Sequence, residues 1–533
     1  MDHIPSFAVL RESPYLVVFA GCIMLLLARS VLSRRRRRGS LPLPPGPRRL
    51  PLIGNMLDMP APGVPEFQHW LRHNALYGPV SSLEIMGQTI VLLHSRDAVR
   101  QLLEKRSKST SSRPHMEFGH GMCGYDNILS VQKFEDSSYV PRRRLVHQYL
   151  GTPAASERYQ GMQEAQAGRM LRWMLDAPER LMDHIQYFSA AVVLEATYGY
   201  TLGSSATEDP LVTLMQEVLD NITDAFVPMA WSVDALPALR HVPAWLPLGA
   251  DFVRTARRWK LAAETVADTP LAFVRAQMRR GAHRPSYVAN ILERELGGDP
   301  TGTRKHSTTE DDVKWTAATM YGAGVETSSS TLEAFVLAML LFPDVQIKAQ
   351  QEIDRVLGAG SRLPTCADRA NLPYTSQVVT EALRWFPVLP MGVAHVTQEP
   401  LEHDGYAIPK GAYLLPATWW LCHDPAAYAD PHVFDPDRYL APRGEPDPRG
   451  VVFGFGRRIC PGRYFADASL WVAIARVLAA FTISSAVDEE GRERRAELGY
   501  TSSLTSRPTK FPVSVAPRSE KHAELIRGLE TGA

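Results

Sequence analysis

Cysteine is scarce, with 5 in 533 residues. A disulfide framework needs a dense and even set, so a stapled extracellular scaffold is excluded. A reducing compartment, or a cysteine kept for its chemistry, is indicated instead. An excess of one charge is also missing. Lys+Arg 58 against Asp+Glu 57 leaves a net charge of +1, so no global field draws the chain to nucleic acid, and no such partner is expected. The sequence shows no internal repeat, no low-complexity linker, and no flavin or nicotinamide fingerprint. The glycines around Gly456 lack the strand–turn–helix setting of a dinucleotide site. What is present is an ordinary globular balance, 45% hydrophobic and 22% charged, which rules out disorder as the main state.

The longest apolar run stands near the beginning of the chain. No charge falls between Ser13 and Ala28, a stretch that spans about 24 Å as a helix, against a bilayer core of roughly 30 Å. Arg34 to Arg38 follow as an unbroken basic run. Positive charge stays on the cytoplasmic side, so residues 1–38 are read as an uncleaved, single-pass anchor and stop-transfer segment with the body facing the cytoplasm. Leu43-Pro44-Pro45-Gly46-Pro47 makes 39–50 a stiff extended hinge. Residues 51–533 read as one large domain: short strands within 79–95 with Gly87 at a hairpin turn, helix through most of 140–385, and short strands again from Pro387 to Pro448. The expected fold class is mostly α with a minor β region, preceded by a transmembrane helix.

The run Phe453-Gly454-Phe455-Gly456-Arg457-Arg458-Ile459-Cys460-Pro461-Gly462 is the most informative segment. Cys22, Cys123, Cys366 and Cys422 read as packing residues, whereas Cys460 stands among glycines that a packed core does not need. Gly456 permits a tight turn aiming backbone N–H groups at the sulfur. Pro461 and Gly462 introduce a helical run, Arg463–Ala480, whose N-terminus favours a thiolate.

On Phe453, Gly456, Arg458, Cys460 and Gly462 the sequence resembles the cytochrome P-450 family of haem-thiolate monooxygenases, and the likeness extends from Pro44 to about Pro517. The resemblance implies haem b with Cys460 as axial ligand, Arg458 on a propionate and Phe453 beside the sulfur. A second motif, Ala323-Gly324-Val325-Glu326-Thr327, lies in a helical run over 311–341 followed by Ser328, Ser329, Ser330 and Thr331. Hydroxyls that bond back to carbonyls, together with Gly322 and Gly324, predict a local widening of this helix. The resemblance makes Glu326 and Thr327 the pair that delivers protons to dioxygen. Glu381 and Arg384, at i and i+3, look with Arg438 like the family's buried structural triad. One departure is evident. Where the family commonly places a Trp-Arg pair, this chain has Tyr139 and Val140, followed by Pro141 in a first helical turn with Ser137 or Ser138 as possible caps. Propionate anchoring then leans on Arg143, Arg458 and His395.

The resemblance further implies a separate electron donor, an NADPH–cytochrome P-450 reductase, for which Arg142, Arg143, Arg144, Arg457 and Arg463 offer a basic face. Pocket residues are expected from the segments 116–129, 319–323, 388–393 and 502–505. Among them Phe118, Met122, Tyr125, Met320, Tyr321, Val388, Leu389 and Leu504 are apolar or aromatic. Such a lining suits a lipophilic substrate with few polar groups. A terpenoid is the first expectation and an aromatic polyketide the second. Residues 226–248, with Trp231 and Trp245, are a second membrane contact or a buried loop. The overall pattern resembles fungal microsomal members of secondary metabolism, which places the chain in the endoplasmic reticulum membrane. A haem-thiolate isomerase or dehydratase is the enzymatic alternative, against which the intact Glu326-Thr327 speaks. A non-catalytic haem-binding membrane protein is the least favoured.

Overall fold

The computed structural model describes residues 41–529 apart from 62, 204–208, 228–229, 246–249 and 295–307. The expected anchor at 1–38 lies outside the described residues. Among those residues no single helix is long and apolar enough to cross a membrane. The chain divides into two compact units, 41–110 with 394–416, and 111–393 with 417–529.

In the first unit, β1 (Val80–Ile85) and β2 (Gln88–Leu93) pair antiparallel, Val80 opposite Leu93. Met86 and Gly87 turn the chain with φ of 47° and 89°, the two positive values that a two-residue hairpin requires. Helix α1 (Glu66–Tyr77) precedes them. The later strands are β3 (His395–Val396), β4 (Leu401–His403), β5 (Tyr406–Ile408) and β6 (Tyr413–Pro416). β2 lies parallel to β6, and β6 antiparallel to β3, giving the order β1-β2-β6-β3. The proline segment is bonded to β1. Ser82 donates from its backbone N to Pro45 O at 2.8 Å and from its hydroxyl to Pro44 O at 2.6 Å. A Cβ on Gly46 would meet Ser82 O at 1.8 Å, so only glycine lets the segment lie flat against β1.

The second unit is helical. Its long helices are α2 (Tyr139–Leu150), α3 (Gln160–Asp176), α4 (Leu181–Tyr198), α5 (Pro210–Ala225), α6 (Asp251–Arg279), α7 (Glu310–Leu341), α8 (Pro343–Leu357), α9 (Pro373–Trp385) and α10 (Arg463–Ala480). Residues 469–480 of α10 are all buried, the mark of a helix enclosed by others. A short ladder, β7 (Phe481–Ser484) with β8 (Ser514–Pro517), follows. No strand was expected in either segment.

Helix α7 begins with a capping box. Thr309 Oγ1 accepts from Asp312 N at 3.1 Å while the Asp312 carboxylate accepts from Thr309 N, which satisfies two otherwise orphaned donors. Asp312 also accepts from Arg142 Nε at 2.9 Å, and Asp311 from Arg142 Nη2 at 2.7 Å. Arg142 is buried and committed to α7, so it is no part of a docking face. It falls on the stripe of Leu145, Val146 and Tyr149, the buried side of α2. Ser138 occupies the N-cap position of α2 without a side-chain cap, and its hydroxyl accepts from Gln132 Nε2 at 2.7 Å instead.

Candidate active site

The cysteine loop is shaped by two left-handed glycines, Gly454 (φ 77°) and Gly456 (φ 54°). Cys460 N donates to Phe453 O at 2.7 Å and closes the loop, and Gly462 leads into α10. The Cys460 side chain is half-buried, and the Gly462 N–H donates to its sulfur. Burial pushes the thiol up, against the opposing pull of that N–H and of the Arg143 and Arg463 cations. Arg463 Nη1 holds Cys460 O at 3.1 Å, and Arg143 donates to Ile459 O.

Buried and half-buried guanidiniums gather beside this loop. Arg458 donates to Ser111 O (2.6 Å), Leu129 O (3.3 Å) and Gln132 O (2.7 Å). Its Cζ stands 4.0 Å from the centroid of the Tyr139 ring. Burial pushes Arg458 down to about 10 and also lowers Arg143. Among the described residues no carboxylate forms an ion pair with either. Arg113, overlooked in the sequence, is buried nearby, donates to Ser130 O and Val393 O, and is depressed by burial and by Arg458. Its setting, Ser-Ser-Arg-Pro, carries no local signal. His395 belongs to the first unit, where it lies on β3 with Nδ1 2.8 Å from Thr110 O.

Helix α7 does not widen. It runs unbroken while Thr327 Oγ1 donates to Ala323 O (2.8 Å), Ser330 Oγ to Glu326 O (2.8 Å) and Thr331 Oγ1 to Thr327 O (2.9 Å). The back-bonding expected of the hydroxyls is present, and the helix absorbs it. The glycines serve clearance instead. A Cβ on Gly324 would meet Val193 Cγ2 of α4 at 2.7 Å, and one on Gly322 would meet Met215 Sδ of α5 at 3.2 Å. One face stays open: Ala323 is exposed and Thr319, Glu326 and Thr327 are half-buried, while Met320, Tyr321, Gly322 and Val325 are buried. Such an opening in a core helix leaves room for a ligand. Glu326 Oε1 accepts from Thr505 Oγ1 at 2.5 Å, and burial raises its carboxyl despite that bond and the nearby Arg507.

Glu381, Arg384 and Arg438 come together. Arg384 Nε and Nη2 reach Glu381 at 2.8 and 2.7 Å, and Arg438 Nε reaches it at 3.0 Å, with all three side chains fully buried. The structure adds Tyr439 OH (2.7 Å) and Asp435 N (2.9 Å) on Glu381, and Glu445 on Arg438 Nη1 (2.6 Å).

The expected lining segments are joined by hydrogen bonds. Leu129 N donates to Thr319 Oγ1 (3.2 Å), and Ser506 N to Val388 O (2.7 Å). Their aromatic residues, however, are core. Phe118 stacks on Trp231 with centroids 3.6 Å apart and meets Trp259 edge-on, because its ring is sandwiched by α6 and the segment after α5. Tyr125 joins the same cluster. Met320 is buried in the main core, where Tyr321 meets Tyr198 of α4 edge-on. Met122, Val388 and Leu389 remain half-buried and Leu504 exposed. Trp231 is half-buried against Phe118, whereas Trp245 is 78% and Leu236 63% exposed.

Comparison with known proteins adds an independent line. The family model described as Cytochrome P-450 matches residues 44–512. A multifunctional cytochrome P-450 monooxygenase of Aspergillus fumigatus is 40% identical over 96% of this chain and 95% of its own. A cytochrome P-450 monooxygenase of Gibberella zeae is 44% identical over 97% and 96%. The O-methylsterigmatocystin oxidoreductase of Aspergillus flavus is 36% identical over 97% and 95%. A solved zebra fish cytochrome P-450, in a structure with abiraterone, covers 85% of this chain and 100% of its own with TM-score 0.67 at 22% identity, a likeness of fold.

Proposed function

We propose, on the premise that this chain belongs to the cytochrome P-450 family and is a monooxygenase with haem b as its cofactor, that it inserts one atom of dioxygen into a C–H bond of a lipophilic, neutral secondary-metabolite precursor, in the first place a terpenoid. The observation that carries this substrate class is the chemistry left accessible around the open face of α7. On that face Ala323 is apolar and the acid Glu326 is engaged by Thr505, and the half-buried or exposed residues of the expected lining segments, Met122, Val388, Leu389 and Leu504, are apolar too. A charged substrate would be buried without a partner, at a cost of several kcal/mol.

The residues present fit haem b. Cys460 is half-buried and its sulfur accepts from the Gly462 N–H, α7 is open at Ala323, and two guanidiniums with no ion-paired carboxylate, the buried Arg458 and the half-buried Arg143, suit two propionates. Cys460 would ligate the haem iron, Arg143 and Arg458 would hold propionates, and Phe453 would pack beside the sulfur. Bound there, haem would supply oxygen activation, which a thiolate ligand would favour. The Gly462 N–H, Arg143 and Arg463 stabilise negative charge on the Cys460 sulfur. Glu326, its carboxyl raised by burial, holds a proton at its carboxylate oxygen closer to neutrality than an exposed acid does. The Thr327 hydroxyl, held on Ala323 O, can rotate to accept or pass a proton on the open face of α7. Glu381, Arg384 and Arg438 hold the fold around the site and do no chemistry.

Electrons come in this reading from an NADPH-dependent reductase, and the exposed Arg144 and Arg457 give an acidic partner something to meet. The endoplasmic reticulum membrane is the proposed location, with 1–38 as anchor and the exposed Trp245 and Leu236 as a second contact. An aromatic polyketide is the second reading, favoured by the relative named for O-methylsterigmatocystin.

The test is co-expression with a reductase, followed by titration with terpenoids, polyketides and fatty acids. Neutral terpenoids are expected to shift the haem to high spin, and carboxylates are not. A clean shift with a fatty acid and none with any terpenoid would overturn the substrate class. Cys460→His should abolish the red-shifted Soret band of the reduced carbon monoxide adduct, and its persistence would remove Cys460 as ligand.

A further inference from the structure

Thr505 lies in the turn that the sequence reading assigned to the substrate lining, but its hydroxyl is already taken. It donates to Glu326 Oε1 at 2.5 Å, and among the described residues it is the one side chain that donates to that carboxyl. The turn around it is fixed at several points. Thr501 N donates to Arg507 O at 3.0 Å, Arg507 N to Thr501 Oγ1 at 2.9 Å, and Ser506 N to Val388 O at 2.7 Å. Ser503 Oγ donates to Thr505 O. Two residues on, Arg507 Nη2 bonds Ser329 Oγ (2.8 Å) and Glu333 Oε1 (3.2 Å). The turn is thus fastened to α7 twice, at Glu326 through Thr505 and one to two helical turns later through Arg507.

We propose that Thr505 is a positioning residue for Glu326, holding one carboxylate oxygen against the turn so that the other faces the open side of α7. The inference rests on the reading of Glu326 as the group that carries protons in this site. Its physical basis is threefold. A β-branched side chain is stiff at χ1, so a fixed backbone fixes the direction of its hydroxyl. A proton carrier acts only within hydrogen-bond reach of its acceptor, and an untethered glutamate samples many rotamers. A hydroxyl donated to a carboxylate favours the ionised form, in opposition to the burial that raises Glu326, so the same contact governs how readily the proton leaves. Thr505 is then withdrawn from the substrate's possible partners, and the turn that shapes the pocket also sets the proton carrier.

The experiment uses the full-length holoenzyme with its reductase and compares wild type, Thr505→Val, Thr505→Ser and Glu326→Gln. Valine keeps the shape and removes the hydroxyl; serine keeps the hydroxyl. The first readout is the protonated carboxyl stretch of Glu326 in pH-difference infrared spectra, assigned by its loss in Glu326→Gln. The second is the ratio of product to peroxide per NADPH. Thr505→Val should move the titration of that band to higher pH and lower coupling by on the order of tenfold, the equivalent of one charge-assisted hydrogen bond. Thr505→Ser should restore both. Haem content and the carbon monoxide spectrum should stay as in wild type. If valine misfolds, Thr505→Ala serves the same comparison. An unmoved infrared titration in a folded variant lacking the hydroxyl overturns the proposal. If instead the band moves while Glu326→Gln leaves coupling intact, the contact stands and the proton role of Glu326 fails.

Discussion

Replacing Glu381 by alanine takes an acceptor away from two guanidiniums, a phenol and a backbone N–H at once. Arg438 keeps Glu445 at 2.6 Å. Arg384 keeps only the carbonyls of Cys422, Pro431 and Val433, with the Tyr428 ring 5.3 Å away. A fully buried cation without a counter-charge results, and breaking such a pair costs about 3–5 kcal/mol. Against a total stability of roughly 5–15 kcal/mol this is a large fraction. Urea titration followed by tryptophan fluorescence should show the loss, and haem should dissociate earlier in the same titration. The decisive arm is the double variant Glu381→Leu with Arg384→Met. It removes the orphaned charge along with its partner, so it should recover part of the lost stability although it deletes more hydrogen bonds. A single alanine variant within about 1 kcal/mol of wild type, or a double variant worse than the single, would refute the reasoning.

Tyr139→Phe should cost haem retention less than loss of the ring, because it keeps the ring 4.0 Å from Arg458 Cζ and gives up only the hydroxyl's bond with that guanidinium. Tyr139→Leu should weaken retention by about 2 kcal/mol, the worth of a desolvated cation–π contact, and haem transfer to apomyoglobin would measure it. Gly324→Ala places a methyl 2.7 Å from Val193 Cγ2 and should destabilise by about 1–3 kcal/mol in thermal unfolding, outweighing its gain of up to ~1 kcal/mol in helix propensity. Glu333 is raised above its ordinary 4.5 chiefly by burial, with Glu326 adding to the rise and Arg507 opposing it. A raised carboxyl contributes stability in acid that disappears as pH climbs through the folded value. Glu333→Gln should therefore gain on wild type from about pH 4.5 upward, and a pH series of urea midpoints showing the reverse slope would contradict this.

Local pattern made some of the site readable and left the rest hidden. The cysteine loop depends on glycines that adopt left-handed backbone within a few residues of the sulfur, so spacing alone exposes it. Glu381 and Arg384 are one helical turn apart, and their pairing follows from the period of α9. Tyr439 and the Asp435 N–H reach the same carboxylate only through the fold, from 58 and 54 residues away. The bond from Thr505 to Glu326 crosses 179 residues, and no local pattern encodes it. Gly322 and Gly324 carry two physical meanings, a weak helix or a close approach, and only the neighbours Val193 and Met215 decide between them. Arg142 was legible, since it sits one turn before Leu145 and Val146 on the apolar stripe of α2. Reading three arginines as a block concealed it.

The parallel pairing of β2 with β6 has a consequence in time. Gln88 bonds Gly411 across 323 residues, so β2 leaves the ribosome long before the strand that completes its sheet. At about 5–20 residues per second the wait is on the order of 15 to 65 s. Meanwhile the hairpin offers Ile90, Val91, Leu92 and Leu93 along an unpaired edge, the kind of surface that recruits other strands. Heterologous yield should then respond to slower initiation or chaperone supply more than to changes in the haem site, with the first unit finishing its sheet only after most of the second has been made.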